Sequence, residues 1–274
     1  MDPEKKAFLE NAMKSMVEDE SKTMKELVEA IKGPEETEED AERKEQALEE
    51  LIDRSDRVDY AIALHSFAKG LFPTIDLLET SKHEGVRSNA AELVALCVQN
   101  NPPCQAWAFE GGALPKLFAL HEKGSEKEKQ KCLLALSGMI MNNAPAQEAF
   151  LQAGGLGLLA QDIKANVGRR LRVKALFTLG WMMRESEPAR SRALTDAALT
   201  VTADLALASA EPDDEELSDL AMGALLPLLK ADTAACLRLA PASAFAAVKK
   251  RADGKTDDDV DARAVAKELS ELLL

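Results

Sequence analysis

Apolar positions fall at helical spacing along almost the whole chain. Between Val86 and Val98, the residues Ala90, Ala91, Leu93, Val94, Leu96, Cys97 and Val98 put apolar groups on nearly every side of one helix. A helix that is apolar all round belongs inside a stack rather than on its surface. Asn100-Asn101-Pro102-Pro103 ends it, because the residue before a proline resists the helical region and proline has no N–H to donate. A shorter amphipathic run follows and closes at Gly111-Gly112, residues suited to a left-handed cap. Alternating runs of β type are lacking, so the pattern predicts helices throughout.

The pattern then returns. Shifted by 42, VALCVQNN (Val94–Asn101) lands on LSGMIMNN (Leu136–Asn143), and a further shift of 43 lands on LGWMMRES (Leu179–Ser186). A weaker copy sets LAMGALLPLL (Leu220–Leu229) over KALFTLGWMM (Lys174–Met183). A helical period of this length marks armadillo or HEAT arrays, in which no repeat covers its own apolar face and neighbours stack into one core. The expectation is an all-α, armadillo-like α-solenoid of about four repeats with flanking capping helices and a mobile N-terminal segment. Repeats two and three are expected to begin after Gly111-Gly112 and Gly154-Gly155. Three regions follow: 1–45, a flexible acidic segment with an amphipathic Met-rich helix; 46–235, the repeats; and 236–274, C-terminal capping helices. Within the first, Glu35–Glu45 is charge-dense and reads as a solvated linker or the start of an isolated helix.

Charge narrows the partners. The formal net charge is −14, and residues 1–59 contribute −10 of it. The acidity is therefore an N-terminal property, and it argues against nucleic acid and against an anionic membrane surface. Four cysteines show no CxxC pair, and three lie on predicted helices as small apolar residues, which suits a reducing cytosolic or nuclear setting, with cytoplasmic the expectation. No apolar run is long enough for a membrane span, and the N-terminus lacks an apolar signal core. His65, His83 and His121 are isolated from other ligand types, and no phosphate-cradling or nucleophile motif occurs. Neither metal, cofactor nor catalysis is expected.

Function then falls to the concave face, lined by the last helix of each repeat. Repeat arithmetic names one rung, Gln99, Met141 and Arg184, with Lys230 as a weaker fourth. One turn earlier stand Ala95, Ser137 and Gly180, small residues that would serve close approach of a partner or helix packing equally. Trp181 reads as core or as an interface anchor beside Arg184.

Four stretches carry a family resemblance: DPEKKAFLENAMKSM (Asp2–Met16), DYAIALHSFAKGLFP (Asp59–Pro73), VQNNP (Val98–Pro102) and RVKALFTLGWMMRESE (Arg172–Glu187). They resemble the armadillo-type nucleotide exchange factors of heat-shock protein 70, the first being especially similar to plant and green-algal cytosolic members. The resemblance covers most of residues 2–230 and implies a monomeric cochaperone, not an enzyme. Its concave face would embrace lobe II of the nucleotide-binding domain of a cytosolic heat-shock protein 70, opening the cleft so that ADP leaves. The family signature DNAxDLHxxGG is met at Asp59, Ala61, Leu64 and His65, with Tyr60 and Ala63 replacing its Asn and second Asp. Its LIRNN-type segment falls on Met139–Asn143, with Met141 at the Arg position, which moves the expected cation to Arg184. The partner-binding set implied is Tyr60, Ala61, Leu64, Glu92, Ala95, Gln99, Ser137, Met141, Asn142, Gly180, Trp181, Arg184 and Lys230. A pseudo-substrate segment carrying Phe8, Leu9, Met13 and Met16 would assist client release. The alternative is an armadillo adaptor gripping an extended peptide through repeated Asn and Trp side chains; Asn101 and Asn143 recur, but the third copy has Ser186.

Overall fold

The computed structural model describes residues 3–55, 57–164, 166–195, 201–209, 214–255 and 260–273; side chains at 3, 4, 6–18 and 195 stand outside that description. Every regular element among the described residues is a helix: α1 (Pro3–Lys32), α2 (Glu38–Arg54), α3 (Val58–Ser66), α4 (Leu71–Thr80), α5 (Glu84–Val98), α6 (Pro102–Glu110), α7 (Ala113–Lys123), α8 (Glu126–Ile140), α9 (Ala144–Gln152), α10 (Gly155–Asp162), α11 (Arg169–Glu185), α12 (Glu187–Thr195), α13 (Val201–Ser209), α14 (Glu215–Leu239), α15 (Ala242–Asp253) and α16 (Val260–Leu272). They divide into two compact units, Met1–Ala146 and Gln147–Leu274.

In the first unit, α3–α4–α5 and α6–α7–α8 are triplets of two short helices and a long one. The all-round apolar helix is α5, which packs against α2, α4 and α8 and buries Leu93, Val94, Cys97 and Val98 completely. The recurring Asn pair divides its labour. Asn100 (φ 51°) and Asn142 (φ 56°) take the left-handed turn that asparagine tolerates better than most residues. The second Asn of each pair starts the next helix: Asn143 Oδ1 accepts the Ala146 N–H at 3.3 Å, and Asn101 is buried. Repeats therefore begin at Pro102 and Ala144, not after the double glycines. Gly112 (φ 72°) and Gly154 (φ 86°) instead make the left-handed bend between the two short helices of a triplet, where a Cβ would be strained.

The N-terminal region is tied down from residue 24 onward. Met24, Val28 and Ile31 of α1 are buried against α2 and α4. A capping box starts α2: Thr37 Oγ1 accepts the Asp40 N–H, and Asp40 accepts the Thr37 N–H at 3.1 Å. Of the two readings of Glu35–Glu45 the solvated linker is thus corrected: α2 starts at Glu38, and it is not isolated, because it packs on α1 and α5. Glu35 lies 3.4 Å from buried Lys44 and accepts hydrogen bonds from Ser81 Oγ at 2.8 Å and the Lys82 N–H at 3.0 Å. Burial works against its charge, but these hydrogen bonds and the Lys44 ammonium outweigh it and hold the carboxyl below its usual range.

In the second unit, α14 packs on α11, α12, α13 and α16. Asp214 caps α14 through the Leu217 N–H at 3.1 Å, and the Arg169 guanidinium at 2.6 Å holds its carboxyl below the usual range. By length and composition α14 could cross a membrane, contrary to the sequence expectation. Yet Ala221, Leu225, Leu228 and Leu229 are buried within the unit, and Asp232 leaves the helical region and caps a new start through the Ala235 N–H at 2.8 Å.

Candidate partner-binding surface

The expected ladder is half surface and half core. In the first unit, Gln99 and Asn142 are exposed and Met141 is half-buried, whereas Tyr60, Ala61, Leu64, Ala95 and Ser137 are buried. Burial, helped by the Glu20 and Glu50 carboxylates and opposed by the Arg54 guanidinium, pushes the Tyr60 phenol up to about 12. Small side chains at this level serve packing: a Cβ added to Gly138 on α8 would meet Val98 Cγ2 at 2.9 Å and the Ala95 carbonyl at 3.7 Å. The outer row of α5 instead runs through Glu92, Leu96 and Gln99, and that of α8 through Lys131, Leu134, Gly138 and Met141, all half-buried except exposed Gln99. Glu92 and Lys131 pair at 2.5 Å. Buried Gln105 donates to the Gly138 and Met141 carbonyls at 2.8 and 3.1 Å and so fixes the end of α8.

In the second unit, Gly180 is buried, with Ala224 3.6 Å from where its Cβ would be. Trp181 is half-buried and Arg184 exposed. Lys230 is exposed and pairs with Glu268 of α16. The outer row of α11 is Arg170, Lys174, Phe177, Trp181 and Arg184, with Lys174 and Trp181 half-buried, spaced by four, three, four and three as one helical face requires. Phe177 is 44 % exposed, large for an aromatic ring, and the Lys174 ammonium lies 5.4 Å from its centroid. Burial lowers the Lys174 pKa. Arg170, Lys174 and Phe177 escaped the sequence reading, although stepping back from Arg184 by three and four reaches them.

Beside this row lies a hollow of about 530 Å³, lined by Arg184, Leu220, Met222, Gly223, Val265 and the carboxylates of Glu215, Glu216, Asp219 and Asp261. A Cβ on Gly223 would meet nothing within 4 Å. The first unit has a cavity of about 570 Å³ walled by α4 and α7 residues, but its Arg87 and Lys116 are already paired, with Glu128 and Asp76. Among the described residues no three His, Cys, Asp or Glu groups converge as a metal site would require. The side chains of Phe8, Leu9, Met13 and Met16 lie outside the described residues.

Comparison with known proteins begins with architecture. Computationally designed armadillo repeat proteins for modular peptide recognition superpose with a TM-score of 0.77 at 17% identity, over 91% of this chain and 99% of theirs. The armadillo-like fold is therefore shown. The SIL1/FES1/HPBP1 C-terminal domain family model matches residues 64–205, just over half the chain, which belongs to that family. Relatives include the Hsp70 nucleotide exchange factor FES1 of Eremothecium gossypii, 31% identical over 59% of this chain and 55% of that protein. Hsp70-binding protein 1 of Mus musculus is 28% identical over 55% of this chain and 42% of its own length. The chain thus spans about half the length of these curated relatives.

Proposed function

We propose that this chain is a nucleotide exchange cochaperone of heat-shock protein 70, acting as a monomer in the cytoplasm on lobe II of the chaperone's nucleotide-binding domain. The observation that carries the reading is the family match over residues 64–205, the stretch that builds the exposed faces of α5, α8 and α11. Relatives named as Hsp70 exchange factors or Hsp70-binding proteins support the partner. Four free, buried cysteines, with thiols pushed up by burial, suit a reducing compartment.

The mechanism needs no chemistry in this chain. A factor that binds the open, nucleotide-free lobe arrangement more tightly than the ADP-bound one must lower ADP affinity by the same ratio. The proposed partner contacts are the ladder members that reach the surface, Glu92, Gln99, Met141 and Asn142 on the first unit and Trp181, Arg184 and Lys230 on the second. The buried members position the helices that present them. The adaptor reading loses its ladder, because Asn101 is buried and Asn143 caps α9.

Stopped-flow release of fluorescent ADP from a cytosolic heat-shock protein 70 tests the proposal: the chain should accelerate release in proportion to complex formed, and no acceleration at saturation would reject it. The N-terminal segment is proposed to assist client release. Because Met24, Val28 and Ile31 are buried, the deletion that isolates this role removes residues 1–18 and leaves the remainder of α1 in place. ADP release should survive it while client-peptide release slows; equal loss of both would assign the segment to the exchange surface.

A further inference from the structure

We propose that the N-terminal half of the α11 row, Arg170, Lys174 and Phe177, is a docking platform for a carboxylate-bearing segment of the chaperone's folded surface. This rests on the exchange-factor reading and names chemistry for a part of the face that the ladder alone did not reach.

The cations of this stretch fall into two groups. Between Arg169 and Arg192 the chain carries seven Lys and Arg residues. Four are engaged within the second unit. Arg169 holds Asp214 at 2.6 Å and pairs with Glu216; Arg172 donates to the Ile163 carbonyl at 3.1 Å. Arg190 donates to the carbonyls of Met183 and Arg184 at 2.8 and 2.7 Å, and Arg192 to that of Leu151 at 2.9 Å. The other three, Arg170, Lys174 and Arg184, pair with no carboxylate among the described residues, and all three lie on one face of α11 with Phe177 and Trp181 between them. No Asp or Glu occurs from Arg169 to Arg184. Other cations, such as Lys127 and Lys267, also pair with no carboxylate among the described residues, but here three stand in one row on one helix face with two aromatic rings between them.

Lys174 sharpens the point. Its ammonium is half-buried over an exposed ring, so it carries part of a desolvation cost without the carboxylate that would offset it. A partner carboxylate supplies that missing interaction, while the apolar neighbour of the carboxylate covers Phe177. Cations interleaved with aromatics can also bind nucleic acid, but the hollow adjoining Arg184 is lined by Glu215, Glu216, Asp219 and Asp261, which repel a continuous phosphate backbone. A protein surface presents carboxylates singly and escapes that repulsion.

The test measures binding of the full chain to nucleotide-free heat-shock protein 70, with ADP release and melting temperature alongside. Arg170→Glu/Lys174→Glu should weaken binding by at least about tenfold at low salt, and the difference should shrink as salt screens it. Phe177→Ala should weaken binding at every salt concentration. Lys174→Arg should bind nearly as wild type, and Lys267→Glu, an exposed charge reversal on α16, should change little. If the double reversal lowers the melting temperature, Arg170→Gln/Lys174→Met is read in its place, with a loss of about threefold or more expected. Wild-type affinity in a folded double variant overturns the platform while leaving the exchange reading intact. A wild-type chain that neither binds the chaperone nor accelerates its release of ADP overturns both. Tight binding of a uridine oligonucleotide that the double reversal abolishes also overturns the proposal, in favour of nucleic acid.

Discussion

The long helices α8 and α11 occupy the same place in successive repeats, yet the matching half-buried cations, Lys131 on α8 and Lys174 on α11, are treated in opposite ways. On α8, Lys131 is closed on Glu92 at 2.5 Å, and buried Gln105 ties down the last carbonyls. On α11, Arg170, Lys174 and Arg184 are left without carboxylates around Phe177 and Trp181. Polar groups satisfied inside the chain contribute to stability, whereas groups left unsatisfied on one face are available to a partner. Substitutions in the first unit should therefore be read mainly in melting temperature, and those on α11 mainly in binding.

Arg184→Glu should show the largest effect on binding: at least about tenfold weaker chaperone association, about 1.4 kcal/mol, with circular dichroism and melting temperature unchanged. Gln99→Glu, the exposed rung residue of the first unit, should do less, having no charge-assisted contact to lose. Equal losses would remove the distinction between the two helices.

Glu35→Gln should act on stability instead, by about 1–2 kcal/mol, since it weakens hydrogen bonds to a charged group and leaves Lys44 with a neutral neighbour. The folded-state pKa of Glu35 is depressed from 4.5, so its contribution is full above that value and is lost as pH falls through the folded pKa. The gap in melting temperature between wild type and Glu35→Gln should accordingly be widest at neutral pH and close on acidification. A gap that widened towards acid would contradict the assigned charge state.

Two glycines extend the contrast to packing. Gly138→Ala on α8 should destabilise by about 1 kcal/mol, because the added methyl meets buried Val98 at 2.9 Å. Gly223→Ala on α14 should stabilise by about 0.5–1 kcal/mol, because its methyl enters open space and alanine favours the helix. Thermal melts of the two variants distinguish these signs. The smallest effect belongs to Lys131→Met: opening a partly exposed pair should cost under about 1 kcal/mol of stability and leave binding within about twofold.

Much of the molecule could be read from the chain before any coordinates. The 42–43-residue return of VALCVQNN fixed the repeat class, since helices with that period can bury their apolar faces only against one another. The chain also marked where helices stop, through Asn-Pro and Gly-Gly, and which rung residues, Gln99 and Arg184, stay exposed. It did not say which stop ends a repeat. Both signals break a helix, and only the packed triplets show that Gly112 and Gly154 bend within a repeat while Asn100 and Asn142 turn between repeats.

The second turn of the ladder was decided by tertiary structure alone. Residues three and four positions before an exposed one both fall within about 60° of it on a 3.6-residue helix. The pattern therefore allowed Ala95, Ser137 and Gly180 as readily as Leu96, Gly138 and Trp181. Neighbouring helices settled the matter by taking the first set into their contacts and leaving the second nearer the surface. Charge pairing was decided in the same way. Seven cations crowd Arg169–Arg192 in the sequence, and nothing in their order separates the four that hold carboxylates or carbonyls from the three that do not. That separation depends on which side chains folding brings within hydrogen-bond reach, a distance of about 3 Å that one chain written in a line does not contain.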